Sequence, residues 1–230
     1  MTHYEAMFIR RSVRQYAPEP LPQETLDEIL AYAAAVEPLP GQQAQYRLLT
    51  PEEMGLKLAP HYLAASCESG NEAYANLGYV LEKLDLELQS RGLGSLWYGM
   101  KLPRDSRPDD AIVMAFGRTA VPPRTAGTEF SRLPLAELSD GDDAVLRAMR
   151  LAPSAVNSQP WVFRRGDKEL EIAYKGRGLL KGRLEKKLNK IDLGIVTRFA
   201  VTALEQEGKQ ILSLRPETEG REFRILIRYE

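Results

Sequence analysis

The chain has 230 residues, 43% apolar and 27% charged, with a formal net charge of -1, which suits a folded globular protein of one large or two small domains and gives nucleic acid no support. The single Cys67 excludes an internal disulfide, no C-x-x-C or clustered His/Cys set offers a metal site, and a reducing compartment is the default. The first residues lack the basic flank and apolar core of a signal peptide, and no apolar run approaches a membrane span, so a cytoplasmic protein is expected.

Tyr4 to Ile9 reads as a short helix that delivers a basic segment, Arg10-Arg11-Ser12-Val13-Arg14. Two readings compete for it. It is a solvated basic turn, or Arg10, Arg11, Ser12 and Arg14 form a phosphate site, since a guanidinium makes charge-assisted bonds to phosphate oxygens. After the breakers Ala17 to Pro20, the spacing of Leu26, Ile29, Leu30 and Ala33 predicts a core helix over Gln23 to Val36. The loop Glu37 to Gln43 leads to strands at Tyr46 to Leu49 and, after Pro60, His61 to Ala65; His61 has no partner motif and reads as structural. Asn71 to Arg91 is the longest helical pattern, with Leu77, Val80, Leu81, Leu84 and Leu88 on one face and Gly92 at its end. The run Gly92 to Met100, GLGSLWYGM, follows a helix and enters a strand, the reverse of a dinucleotide fingerprint. Gly99 lets backbone approach a planar ligand. Ala111 to Phe116 is a buried strand, and a proline-bearing segment follows through Arg124.

The second half opens with a helix, Asp143 to Leu151, broken by Pro153. Ser154, Asn157 and Gln159 then offer uncharged donors and acceptors before the strand at Trp161 to Phe163. Taken singly these are loop residues with local backbone reasons to be there. Together they suit a planar heterocycle whose rim alternates carbonyls and ring nitrogens. A strand near Leu170 to Tyr174, a helix over Lys190 to Glu207 and strands near Ile211 to Leu214 and Phe223 to Tyr229 complete the chain.

The string Leu151 to Phe163, LAPSAVNSQPWVF, resembles the loop of the FMN-dependent nitroreductase-like flavoenzymes, whose pattern is a helix, then A-P-S, then N-x-Q-P-W. The resemblance implies that Pro153, Ser154, Asn157 and Gln159 approach the flavin ring, in that family from the second subunit of a dimer. It implies that Arg10, Arg11 and Ser12 hold the FMN phosphate, with Arg14 nearer the ring. GLGSLWYGM is similar to the family's helix-to-strand motif, which implies that Trp97, Tyr98, Gly99 and Met100 pass beside the flavin. Arg124 fits the place from which a basic residue returns to the phosphate, or is a surface arginine. The family takes electrons from NADH or NADPH and reduces nitroaromatics, quinones or similar small molecules. In that family the basic and N-x-Q-P-W motifs lie much closer along one chain than they do here.

An internal repeat accounts for the spacing. Asn76-Leu77-Gly78 and Gly92 match Asp192-Leu193-Gly194 and Gly208 at an offset of 116 residues, which also relates Gln43 to Gln159. The copies have lost complementary parts. The first carries Pro38 and Gly41 where the second has Ser154 and Asn157. The second sets Ala126 to Phe130 opposite Arg10 to Arg14, and Gly208 to Ile211 opposite Gly92 to Ser95. The expectation is an α+β, nitroreductase-like fold of two pseudo-symmetric halves, 1–125 and 126–230, each with a mixed or antiparallel sheet flanked by helices. One FMN would sit at their junction in a chain that needs no partner subunit. Two rivals are an FMN-binding sensor or carrier without turnover, and a decayed structural or interaction module.

Overall fold

The structure is a computed structural model. It describes residues 1–99, 101–125, 130–176, 183–220 and 222–230, without side chains for 183–186. Met100 and 126–129 lie outside the described residues, and so do the expectations placed on them.

In the first half the elements are α1 (His3–Ile9), α2 (Gln23–Ala35), β1 (Gln45–Leu49), α3 (Pro51–Met54), β2 (His61–Ser66), α4 (Asn71–Ser90), β3 (Gly94–Tyr98) and β4 (Asp110–Gly117). In the second they are α5 (Ala144–Met149), β5 (Trp161–Arg165), β6 (Glu169–Tyr174), α6 (Arg183–Gln206), β7 (Ile211–Glu219) and β8 (Glu222–Tyr229). The strands form two four-stranded sheets, β1-β2-β4-β3 and β5-β6-β8-β7, so the same strand order occurs twice in an α+β fold. Every pairing of these strands is antiparallel, not mixed. Among the described residues parallel character is confined to the single bridges Ser12 to Ser95 and Ser139 to Phe163, outside the strand pairings.

Local rules explain the ends. Thr2 and Glu5 close a capping box on α1, with Glu5 N–H donating to Thr2 Oγ1 at 3.1 Å and Thr2 N–H to Glu5 Oε2 at 2.8 Å. Thr50, Pro51 and Glu53 do the same for α3, a one-turn helix too short to show an apolar period. Helix α6 begins seven residues before the expected start; its first turns are rich in charge, and in sequence Leu184 and Leu188 continue the apolar spacing of Ile191 and Ile195 towards the N-terminus. β7 runs beyond Leu214 through Pro216, which an edge strand tolerates. His61 is indeed structural: its Nε2 accepts from Leu21 N–H at 2.8 Å, and burial lowers its pKa.

Side chains alternate across the first sheet. Leu63, Ala65, Ile112, Met114 and Phe116 join the main core, while Tyr62, Ala64, Val113 and Ala115 pack on Met54 and Leu49 in a smaller cluster. The main core spans both halves and is centred on α4 against α6. Where these helices cross, a Cβ on Gly78 would lie 1.9 Å from Ile191 O and 2.9 Å from Ile195 N. One on Gly194 would lie 1.8 Å from Ala75 O and 2.7 Å from Tyr79 N. The four neighbours are themselves related by the 116-residue offset of the sequence motifs. So are the left-handed helix ends: Gly92 N–H donates to Gln89 O and Leu93 N–H to Leu88 O, as Gly208 does to Glu205 and Lys209 to Leu204. Among the described residues no helix is long and apolar enough to cross a membrane.

Gly194→Ala should therefore separate two helix backbones and cost about 3 kcal/mol or more. Gly208→Ala, at φ 78° with open space around it, should cost only about 1 kcal/mol. Urea unfolding of both variants checks the contrast, and equal losses would mean that the crossing is not close-packed.

Candidate functional site

A cavity of about 290 Å³ opens between the halves. The first half lines it with Ser12, Arg14, Ile112 and Leu96 to Gly99; the second adds Pro153 to Val156 and, from α6, Leu188, Ile191, Asp192 and Ile195. Of the residues expected from sequence, Ser12, Arg14, Trp97, Tyr98, Gly99, Pro153 and Ser154 meet here. A Cβ on Gly99 would stand 2.8 Å from Leu188 Cδ2, so backbone comes close to α6 at this point.

The basic segment is docked on α4 and β3. Val13 N–H donates to Ser95 O at 2.8 Å, and Gln89 Nε2 donates to Ser95 Oγ at 2.7 Å and to Arg11 O at 3.1 Å. Ser95 Oγ in turn donates to Asp85. Arg10 is buried, with Nε on Asp85 Oδ2 at 3.1 Å and 3.8 Å from Glu82 Oε1. Burial and Asp85 push the Glu82 carboxyl well above the usual range, against the pull of Arg10 and of Trp97, whose Nε1–H donates to Glu82 Oε2 at 3.2 Å. Arg10 thus does not line the cavity. Nor does Arg11, which donates to Pro122 O at 2.8 Å.

Arg10 instead belongs to a group of arginines that includes Arg124, Arg132 and Arg150. Arg124 Nε donates to Arg10 O at 3.0 Å, and the guanidiniums of Arg124 and Arg132 lie 4.4 Å and 5.5 Å from the Phe130 ring centre. Burial, followed by Arg10, Arg124 and Arg150, lowers the Arg132 pKa to about 10. Among the described residues Arg10 Nη2 is buried without a hydrogen-bond partner. Several like charges and an unmatched donor held together suit an anion. Arg132 and Arg150 escaped the sequence reading because nothing local marks them; chain folding alone brings them to Arg10.

The 153–159 loop joins this group to the cavity. Asn157 Oδ1 accepts from Arg132 Nη1 at 2.9 Å, and its Nδ2 donates to Ser131 O at 2.9 Å. Gln159 Oε1 accepts from Leu133 N–H at 2.9 Å. Both were expected at a ligand's rim, but neither lines the cavity; they brace the loop against 131–133. The loop is strained. Val156, Asn157 and Gln159 have φ of 47°, 57° and 48°, and the β-branched Val156 lines the cavity while 60% exposed. Turns from Asn157 N–H to Ser154 O and from Gln159 N–H to Ser154 Oγ hold it there. Among the described residues no cluster of His, Cys, Asp and Glu is placed to hold a metal.

Residues 2–203 match the family model described as "Putative TM nitroreductase". The chain belongs to this family. A structure described as a "putative nitroreductase" from Thermotoga maritima superposes with a TM-score of 0.73 at 23% identity, covering 99% of this chain and 94% of that one, and shows the shared fold. A structure described as a "putative nitroreductase in complex with fmn" from Desulfovibrio desulfuricans is 16% identical, with a TM-score of 0.48 over 61% of this chain and 96% of that one. A nitroreductase family protein from Clostridium difficile, 16% identical, gives 0.47 over 59% and 94%. No curated protein sequence matches significantly.

Val156→Asn should stabilise the protein by about 1 kcal/mol, because asparagine tolerates the left-handed region that a β-branched side chain resists. Thermal unfolding checks this; an unchanged or lower Tm would mean that Val156 contacts outweigh the backbone strain.

Proposed function

We propose that this chain is an FMN-dependent oxidoreductase of the nitroreductase type, working with NADH or NADPH and an electron-poor acceptor such as a nitroaromatic or quinone. Family membership supports the class of reaction, and the cavity with the arginine group beside it supports the cofactor reading. The ring would lie between Trp97 to Gly99 and Pro153 to Val156, with the phosphate on Arg10 Nη2, Arg124 and Arg132. Bound there, FMN would supply hydride exchange between the nucleotide and the acceptor. Arg14 would place a fixed cation at the ring's pyrimidine edge, where charge develops on reduction. Leu188, Ile191 and Ile195 would keep water from one wall of the cavity.

The same reading makes the chain a fused pair, 1–125 and 126–230, with one FMN and no need of a partner subunit. At the position related to the cavity-lining Ile195 stands the larger Tyr79, with the Arg198 guanidinium 3.6 Å from its ring centre, which favours a single site.

Reconstituted protein should show an oxidised flavin spectrum with one FMN per chain, bleached anaerobically by NADH or NADPH and restored by a quinone. A bound flavin that neither nucleotide reduces would favour a carrier, and two FMN per chain would end the one-site reading. Arg124→Ala should weaken FMN about ten- to hundredfold, as loss of charged hydrogen bonds of about 1.5–3 kcal/mol implies, while leaving riboflavin affinity nearly unchanged. Fluorescence quenching measures both; equal losses for the two flavins would remove the phosphate from the arginine group.

A further inference from the structure

Asp192 played no part in the chemistry expected from sequence, yet it lines the cavity from α6 and is only 2% exposed. Its Oδ1 accepts from Ala155 N–H at 2.9 Å, inside the strained loop. Its Oδ2 is shielded from solvent and the buried Ser158 hydroxyl stands close to the carboxyl, but among the described residues neither Oδ2 nor Ser158 Oγ makes a hydrogen bond of good geometry. The pseudo-equivalent residue is Asn76, whose Oδ1 accepts from Leu39 N–H at 2.8 Å, and Leu39 is itself the counterpart of Ala155. The two side chains thus make the same backbone bond. In Asn76 the second branch is an NH₂ donor; it too is buried and unpartnered, but Asn76 does not line the cavity.

We propose that Asp192 serves as a neutral hydrogen-bond donor to the ligand in the cavity, giving its carboxylic O–H to a carbonyl or ring-nitrogen acceptor. This rests on the flavin reading and names a contact within it. With Oδ1 occupied by an N–H, the acid proton resides on Oδ2, and Asp192 then presents the donor and acceptor pattern of an amide. Burial pushes its pKa to about 8, opposed by the Ala155 N–H and the Ser158 hydroxyl, so the carboxyl is mostly protonated at neutral pH.

Arg14 and Tyr98 are the titratable side chains that share the cavity from other elements. On the packed helices, Glu82 of α4 is engaged by Trp97 beside Arg10, Arg150 after α5 donates to Leu133 O, and Lys190 of α6 sits 4.2 Å from the Tyr174 ring centre. The sign follows from the raised pKa. The folded form holds a proton that the unfolded chain releases near 4, so stability from this group falls as pH rises from about 4 to about 8, and ionisation then removes the donor.

The test is FMN affinity between pH 7 and 9, above the phosphate's own ionisation near 6, in the parent and in the isosteric Asp192→Asn. Parent affinity should fall at least about fivefold across this range, with a limit of about tenfold per pH unit. The variant should match the parent within about twofold at pH 7 and stay flat. Coinciding profiles would overturn the proposal. Carboxyl ¹³C NMR of the cofactor-free parent gives a second reading that needs no variant: one aspartate should titrate with a midpoint near 8, and full ionisation of every aspartate by pH 6 would overturn the proposal. Absence of FMN binding by the parent at any pH would defeat the flavin reading and this contact together. FMN binding with no contribution from Asp192 would defeat this contact alone.

Discussion

The close crossing of α4 and α6 is the contact on which the rest of the molecule depends. At Gly78 and Gly194 each helix presents bare backbone to the other, and any side chain there would overlap a carbonyl. That proximity fixes the walls of the cavity. Helix α4 holds the basic segment through Asp85 and Gln89, whereas α6 provides Leu188, Ile191, Asp192 and Ile195. A shift of one helix along the other would part the Ser12 wall from the Pro153 wall. Two residues before each glycine, Asn76 and Asp192 receive an amide N–H from the loop of their own half, so the crossing also sets where those loops stand.

Electrostatics near the crossing is a balance of groups that each cost energy to bury alone. Arg10 enters the interior because Asp85 neutralises it; removing one partner of such a pair costs about 3–5 kcal/mol. Burial and Asp85 make ionisation of Glu82 harder, against the pull of Arg10 and of the Trp97 indole N–H, and this keeps the interior from holding two carboxylates for one cation. Outside that pair the balance is left positive, with Arg124 and Arg132 over Phe130 and Arg150 donating to the backbone of Arg132 and Leu133. The loop pays for its position in backbone strain at Val156, Asn157 and Gln159, and the hydrogen bonds of Asn157 and Gln159 to 131–133 hold that strain in place.

Local chemistry was enough to read the elements. Apolar spacing at 3.6 residues marks α2 and α4, the continuous apolar run marks β4, and Gly92 marks a helix end; each depends on neighbours within a few residues. The 116-residue offset was visible because a helix crossing built on glycine tolerates little else, so the motif around Gly78 recurs around Gly194. The string at Leu151 to Phe163 identified the family for a similar reason: its turns require particular side chains, and few sequences satisfy them.

The partners of each polar group were decided only by the fold. Arg10, Asn157 and Gln159 have the chemistry of ligand-binding residues, but the first turns to a carboxylate 75 positions away and the other two to backbone at 131–133. Arg132 joins Arg10 across more than a hundred residues of chain, and Asp192, a marker of the repeat in the sequence, becomes a buried acid at the cavity wall. Sequence by itself determined the elements, the repeat and the family, because these follow from local periodicity and turn geometry. Which charges meet, and which carboxyl keeps its proton, was left to the tertiary structure, because burial and the distance to an opposite charge exist only after the two halves have packed.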